Sequence, residues 1–209
     1  MSYLHEFPGA NMQDFLYGTD LEAPFLFLEV ARSLIKSKSQ LTHKEREMIV
    51  AFVAYLNNAH QPVNVHTRNF VALGGESWIV QDLGRNPANT AVEPKFRPLI
   101  AIARKLTEQA DGVTKDDVDA CYDAGWNGHT VHLVISLASF LNHMTRWVNS
   151  TGFTYSQEEV IGSSEYLIGQ GYGPNDSPGL TDDEYKKKYP DYMDTTFVMK
   201  DQGQVKIDS

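Results

Sequence analysis

Cysteine is the scarcest chemistry in this sequence: one residue, Cys121, in 209. A single thiol excludes a dithiol–disulfide cycle within the chain and fits a reducing compartment. Basic clusters are missing too. The one run, Lys186-Lys187-Lys188, stands among acids, and a formal net charge of -9 argues against a nucleic-acid surface. No apolar run reaches the length of a membrane span. The residues from Met1 to Ala10 lack the basic-then-apolar layout of a signal peptide. The expectation is a soluble cytoplasmic protein with neither nucleic-acid nor membrane partners.

What is present reads as one helical domain with appendages. Hydrophobic residues make up 42% and charged residues 22%, an ordinary globular balance at a length that can bury a core. Residues 1–19 read as an irregular arm and residues 20–153 as an all-α domain. Residues 154–209 read as a polar extension rich in Gly and Pro. Asp20 caps an expected helix that runs to about Lys36 with Pro24 in its first turn. Thr42 and Glu45 form a capping box for a helix to about Asn58. From Met48 to Leu56 every position is apolar, so that helix is buried on all sides, in a core or a subunit interface. Pro62 suits the first turn of a second helix, which Gly74-Gly75 stops.

A loop with one short helical piece is expected over 76–93, then a helix from Pro94 to about Ala110. A shorter helix is capped by Thr114 and ended by Gly125, and a long one is capped by Asn127 and runs to about Asn149. In the extension, short helices are expected near Gln157–Tyr166 and Thr181–Tyr189. Tyr166, Tyr172 and Tyr192 are candidates for contacts there. The extension could cover a cavity or wrap a neighbouring subunit. No strand series is seen.

The candidate chemistry lies where the first two central helices meet. Glu45 is explained by the capping box, whereas Glu47, at the start of the apolar helix, is not. His66 follows 19 residues later, beyond the Pro62 break. Two helices joined by a tight turn can set such a pair side by side, with the carboxylate fixing the imidazole tautomer. His60 falls in the turn, near the positive end of the second helix. A glutamate in a first helical turn is also favoured by the helix dipole alone. On the long helix, His132, Ser136, Ser139, His143 and Arg146 fall on one stripe. Either it is a solvated face, or it lines a cavity with the first pair, Arg146 anchoring an anionic substrate and His143 and His132 assisting.

These residues together resemble the carboxymuconolactone decarboxylase / alkylhydroperoxidase D superfamily, and most closely its peroxidase-related branch. The resemblance rests on Leu41-Thr-His-Lys-Glu-Arg-Glu-Met-Ile-Val, on Tyr55-Leu56-Asn57 and on His66. It continues through Lys105-Leu-Thr, Val113-Thr-Lys-Asp-Asp-Val, Ala124-Gly125-Trp126 and Phe140-Leu-Asn-His-Met-Thr-Arg146, covering roughly residues 20–153. It implies a helical bundle around a central antiparallel helix pair and, as the family generally forms, a homo-oligomer. In redox members a helical glutamate precedes Cys-x-x-Cys-x-x-x-His. Placed on His66, that pattern sets Glu47 on the family glutamate and Ala59 and Pro62 where the cysteines would stand. Cys121 falls outside the motif and reads as a small packed residue.

Three readings follow. The first is cysteine-independent acid–base chemistry, such as decarboxylation, isomerisation or hydrolysis, on a small anionic substrate. Glu47, His66 and His60 would carry it, with His143, Arg146 and His132 binding substrate and no cofactor needed. The second is a non-catalytic oligomeric or ligand-binding protein. The third is a metal-binding protein holding zinc or iron on His60, His66 and Glu47. Their six-residue spacing is not that of a helical metal pair, although a turn between the histidines could compensate.

Overall fold

The computed structural model describes residues 2–11, 27, 30–31, 33–153 and 155–169. Most of the expected Asp20–Lys36 helix lies outside them, as do the expected helix near Thr181–Tyr189, Tyr172 and Tyr192. Residues 33–36 are helical.

Helix α1, His43–Leu56, starts where the capping box places it: the Thr42 hydroxyl accepts from the Glu45 amide at 3.3 Å, and Glu45 Oε2 accepts from the Thr42 amide at 2.7 Å. Every residue from Arg46 to Tyr55 is buried. The reason is positional, because α2, α3, α4 and α6 all pack against this one helix. Of the core or interface that its apolar run called for, the chain supplies the core itself. Each large side chain removed from water here contributes about 1.5–3 kcal/mol.

The reversal after α1 is tight. Asn58 adopts the left-handed conformation (φ 53°), the Asn58 amide donates to the Tyr55 carbonyl at 3.0 Å, and the Ala59 amide donates to the Ala54 carbonyl at 3.1 Å. This is a Schellman closure, with asparagine in place of the usual glycine. Ala59 at once becomes the cap of α2, its carbonyl accepting from the Val63 amide. Helix α2 therefore spans His60–Ala72, beginning two residues before Pro62 rather than at it. Pro62 sits among the first four amides of the helix, where a missing N–H costs nothing. The helix ends, as the sequence suggests, at Gly74 (φ 88°).

Helix α3, Ser77–Arg85, packs on α1 and α2. A 3₁₀ turn at Pro94–Phe96 leads into α4, Arg97–Glu108, and then comes α5, Lys115–Asp123, opened by a second capping box between Thr114 and Asp117. Lys105 ties α5 to α4 by reaching both Asp117 oxygens at 2.8 Å. Helix α6, Gly128–Thr151, is capped by Asn127, whose side chain accepts from the Thr130 amide. Gln40, just before α1, bonds Thr130 and Asn127 at the start of α6. Asn57, just after α1, bonds Asn142, and its carbonyl accepts from Asn149 further along α6. The two helices thus run in the same direction, and α2 runs against both. Helix α7, Gln157–Gly169, packs on α2. No strand occurs among the described residues, and none of their helices is long and apolar enough to cross a membrane.

Candidate acid–base site

The hairpin of α1 and α2 sets Glu47 against His66. The Oε2 of Glu47 lies 2.8 Å from His66 Nδ1, with the carboxylate side chain 1% exposed and the imidazole 14% exposed. An ionised carboxylate can only accept, so the proton on this bond belongs to Nδ1. That leaves Nε2 as the histidine nitrogen available to a substrate. A buried carboxylate holding one imidazole nitrogen is the arrangement by which enzymes fix the tautomer and orientation of a general base.

His60 does not join the pair. It opens α2, six residues before His66 on a continuous helix, so the two differ by about 9 Å along the axis and about 240° around it. Burial holds the His60 imidazole below its ordinary value, favouring the neutral form. The turn that would have let His60, His66 and Glu47 share a metal is not there, because the helix starts at His60 itself. Among the described residues no group of three His, Cys, Asp or Glu side chains is placed to hold a metal ion.

The polar stripe on α6 lies mostly at the surface. His132, Ser139, His143 and Arg146 face outward. The His143 ring meets the Phe27 ring in a tilted contact, centroids 4.4 Å apart. Arg146 bonds the Asn142 carbonyl at 2.8 Å and its side-chain oxygen at 2.7 Å, and approaches the Thr107 carbonyl near the end of α4. A guanidinium there suits the negative end of α4. Asn142 in turn accepts from Asn57, ten residues and about 15 Å along α1 from Glu47. Arg146, expected to anchor a substrate, is thus bonded near the opposite end of the central helix from Glu47.

Cys121 is buried with 0% exposure on α5. Burial pushes its thiol up to about 11, and the negative charge of Asp117 adds to the effect. It is neither ionised at neutral pH nor open to a solute. Ala59 and Pro62, also buried, stand in the first turn of α2 with no thiol between them.

Two polar anchors near the pair escape the sequence reading. Arg46, 4% exposed beside Glu47, clamps the segment before α1 by donating to the Ile35 and Leu41 carbonyls and the Ser39 hydroxyl. On α2, Asn69 accepts a 2.5 Å hydrogen bond from Ser164 of α7. Both stand among other polar residues, Arg46 between Glu45 and Glu47 and Asn69 after Thr67-Arg68, so nothing local marks either as an anchor.

The helical arrangement is that of the alkylhydroperoxidase D-like fold. An uncharacterised peroxidase-related protein from Silicibacter sp. TM1040 superposes with a TM-score of 0.60 at 22% identity, over 66% of this chain and 73% of that one. A second, described as an alkylhydroperoxidase AhpD core and an uncharacterised peroxidase-related protein from Ralstonia eutropha JMP134, gives 0.61 at 19% identity, over 68% and 75%. No family model and no curated protein matches the chain.

Proposed function

We propose that this chain carries out cysteine-independent acid–base chemistry on a small-molecule substrate, with His66 as the group that exchanges protons and Glu47 as its positioning carboxylate. The observation that carries this reading is the 2.8 Å bond between a fully buried carboxylate and the Nδ1 of a partly exposed imidazole. It leaves one nitrogen, Nε2, to take a proton from substrate or water and return it to the product. Decarboxylation, isomerisation and hydrolysis all need that service, and none needs a thiol. The state of Cys121 supports the same view, because a thiol held near 11 inside α5 supplies no nucleophile.

The test is an anaerobic panel of lactones and of β-keto and unsaturated carboxylates, run on wild type, His66→Ala and Cys121→Ser. Turnover lost in His66→Ala and kept in Cys121→Ser is the expected result. Equal rates in wild type and His66→Ala would remove His66 from the chemistry. A thiol-dependent peroxidase activity lost only in Cys121→Ser would move the chemistry to α5.

A further inference from the structure

Helix α7 lies outside the stretch that carries the family resemblance, yet it is seated on the helix that holds His66. Val160 and Ser164 are its buried residues, one turn apart on one face. A serine within a helix commonly returns its hydroxyl to the carbonyl four residues back. Ser164 instead leaves its own helix and donates to Asn69 Oδ1 of α2 at 2.5 Å, with Ser164 2% and Asn69 0% exposed. Asn69 is three residues beyond His66, one turn along and about 60° around α2. Val63 and Phe70 of α2 belong to the apolar core formed with α1, on the other side of His66 from Asn69. His66 thus occupies the seam of α2 between its α1-facing side and the side bonded to α7.

That placement gives α7 leverage on the imidazole. A buried directional bond adds a rotational restraint to the packing that already holds α2. An imidazole about 6 Å from the helix axis moves about 1 Å when the helix rolls by about 10°. That displacement is enough to spoil a 2.8 Å hydrogen bond. We propose that Ser164 and Asn69 are positioning residues: their hydrogen bond sets the roll of α2 and thereby holds His66 Nδ1 on Glu47. Helix α7 is then a working part of the site rather than an appendage. This inference rests on the reading of Glu47 and His66 given above.

The experiment is nitrogen-15 NMR of the histidine side chains in the full-length protein, comparing wild type with Ser164→Ala and Val160→Ala. Val160→Ala removes packing from the same face of α7 and leaves the hydrogen bond in place. Wild type should show one His66 tautomer, protonated on Nδ1. Ser164→Ala should cut the ratio of that tautomer to the other by about tenfold, the scale of a lost hydrogen bond to a charged group, while Val160→Ala keeps the wild-type ratio. Should Ser164→Ala fail to fold, Ser164→Cys, a weak donor of similar shape, replaces it and should give an intermediate ratio. A wild-type ratio in the Ser164 variant overturns the proposal, as does an equal loss in Val160→Ala, which would make α7 a packing element only. A wild-type protein lacking the Nδ1-protonated tautomer would overturn the reading of the Glu47–His66 pair itself. The wild-type spectrum therefore tests the pair, and the variants test α7.

Discussion

The two ends of α1 carry polar clusters of opposite character. At the first end, Glu47 is spent on one nitrogen of His66 and the other nitrogen is left to the surroundings. At the far end, Asn57, Asn142 and Arg146 bond one another and the end of α4. The second cluster is larger and includes a guanidinium, the group more readily taken for a substrate anchor. It is the poorer candidate because its donors are already committed, Arg146 to the two Asn142 oxygens and the Thr107 carbonyl and Asn57 to Asn142. What distinguishes a chemical site from a structural one is which atoms remain uncommitted, and residue types alone do not show that.

The contrast can be broken most directly by kinetics. His66→Ala should lower turnover of whichever panel substrate is accepted by about 10²–10⁴-fold, the usual contribution of a positioned acid or base. Arg146→Ala should leave turnover unchanged. A loss confined to Arg146→Ala would reverse the assignment of the two ends.

The next effect is on stability. Asn142→Leu removes the oxygen that accepts from Asn57 and Arg146 and the amide that donates to Thr107, and should cost about 1–3 kcal/mol in urea denaturation. The rate per folded molecule should be unaffected. A fall in that rate beyond the change in folded fraction would mean that the two ends communicate along α1.

The smallest effect concerns the Lys105–Asp117 pair, close along α4 to the Arg146 contact. Bonds from Lys105 and the Thr114 backbone hold the Asp117 carboxyl below its ordinary value of 3.8. Its stabilisation is complete above that value and is lost as pH falls through the lower folded one. Asp117→Asn should therefore show a shallower loss of Tm between about pH 5 and about pH 3 than wild type. Because the pair is near the surface the difference will be modest. Parallel curves would show that α5 docks without it.

Much of this was legible in the sequence where the physics is local. The capping residues Thr42, Thr114 and Asn127 act within three or four residues of themselves and mark their helices correctly. The Glu47–His66 contact was accessible for a related reason, since one tight turn joins the helices that carry it. His60 was misplaced by a two-residue error in a helix start. Pro62 signals an early helical position without saying which, and the Schellman closure at Asn58 brings the helix forward. The α6 stripe failed differently. Its periodicity was real and most of it faces outward, but the sequence could not say which end of α1 Arg146 would meet. The bond from Ser164 to Asn69 joins residues 95 apart and leaves no local trace.

The short reversal at Asn58 and Ala59 also bears on the order in which the molecule assembles. Glu47 and His66 are 19 residues apart, whereas Asn57 and Asn142 are separated by 85. Closing the shorter loop costs about 1 kcal/mol less chain entropy, and contacts of low sequence separation form early. The proton-handling pair can meet once the first hairpin exists, before α6 has a place to dock. Chains that lose the docking of α6 should consequently keep the Glu47–His66 contact for as long as the α1–α2 hairpin itself holds.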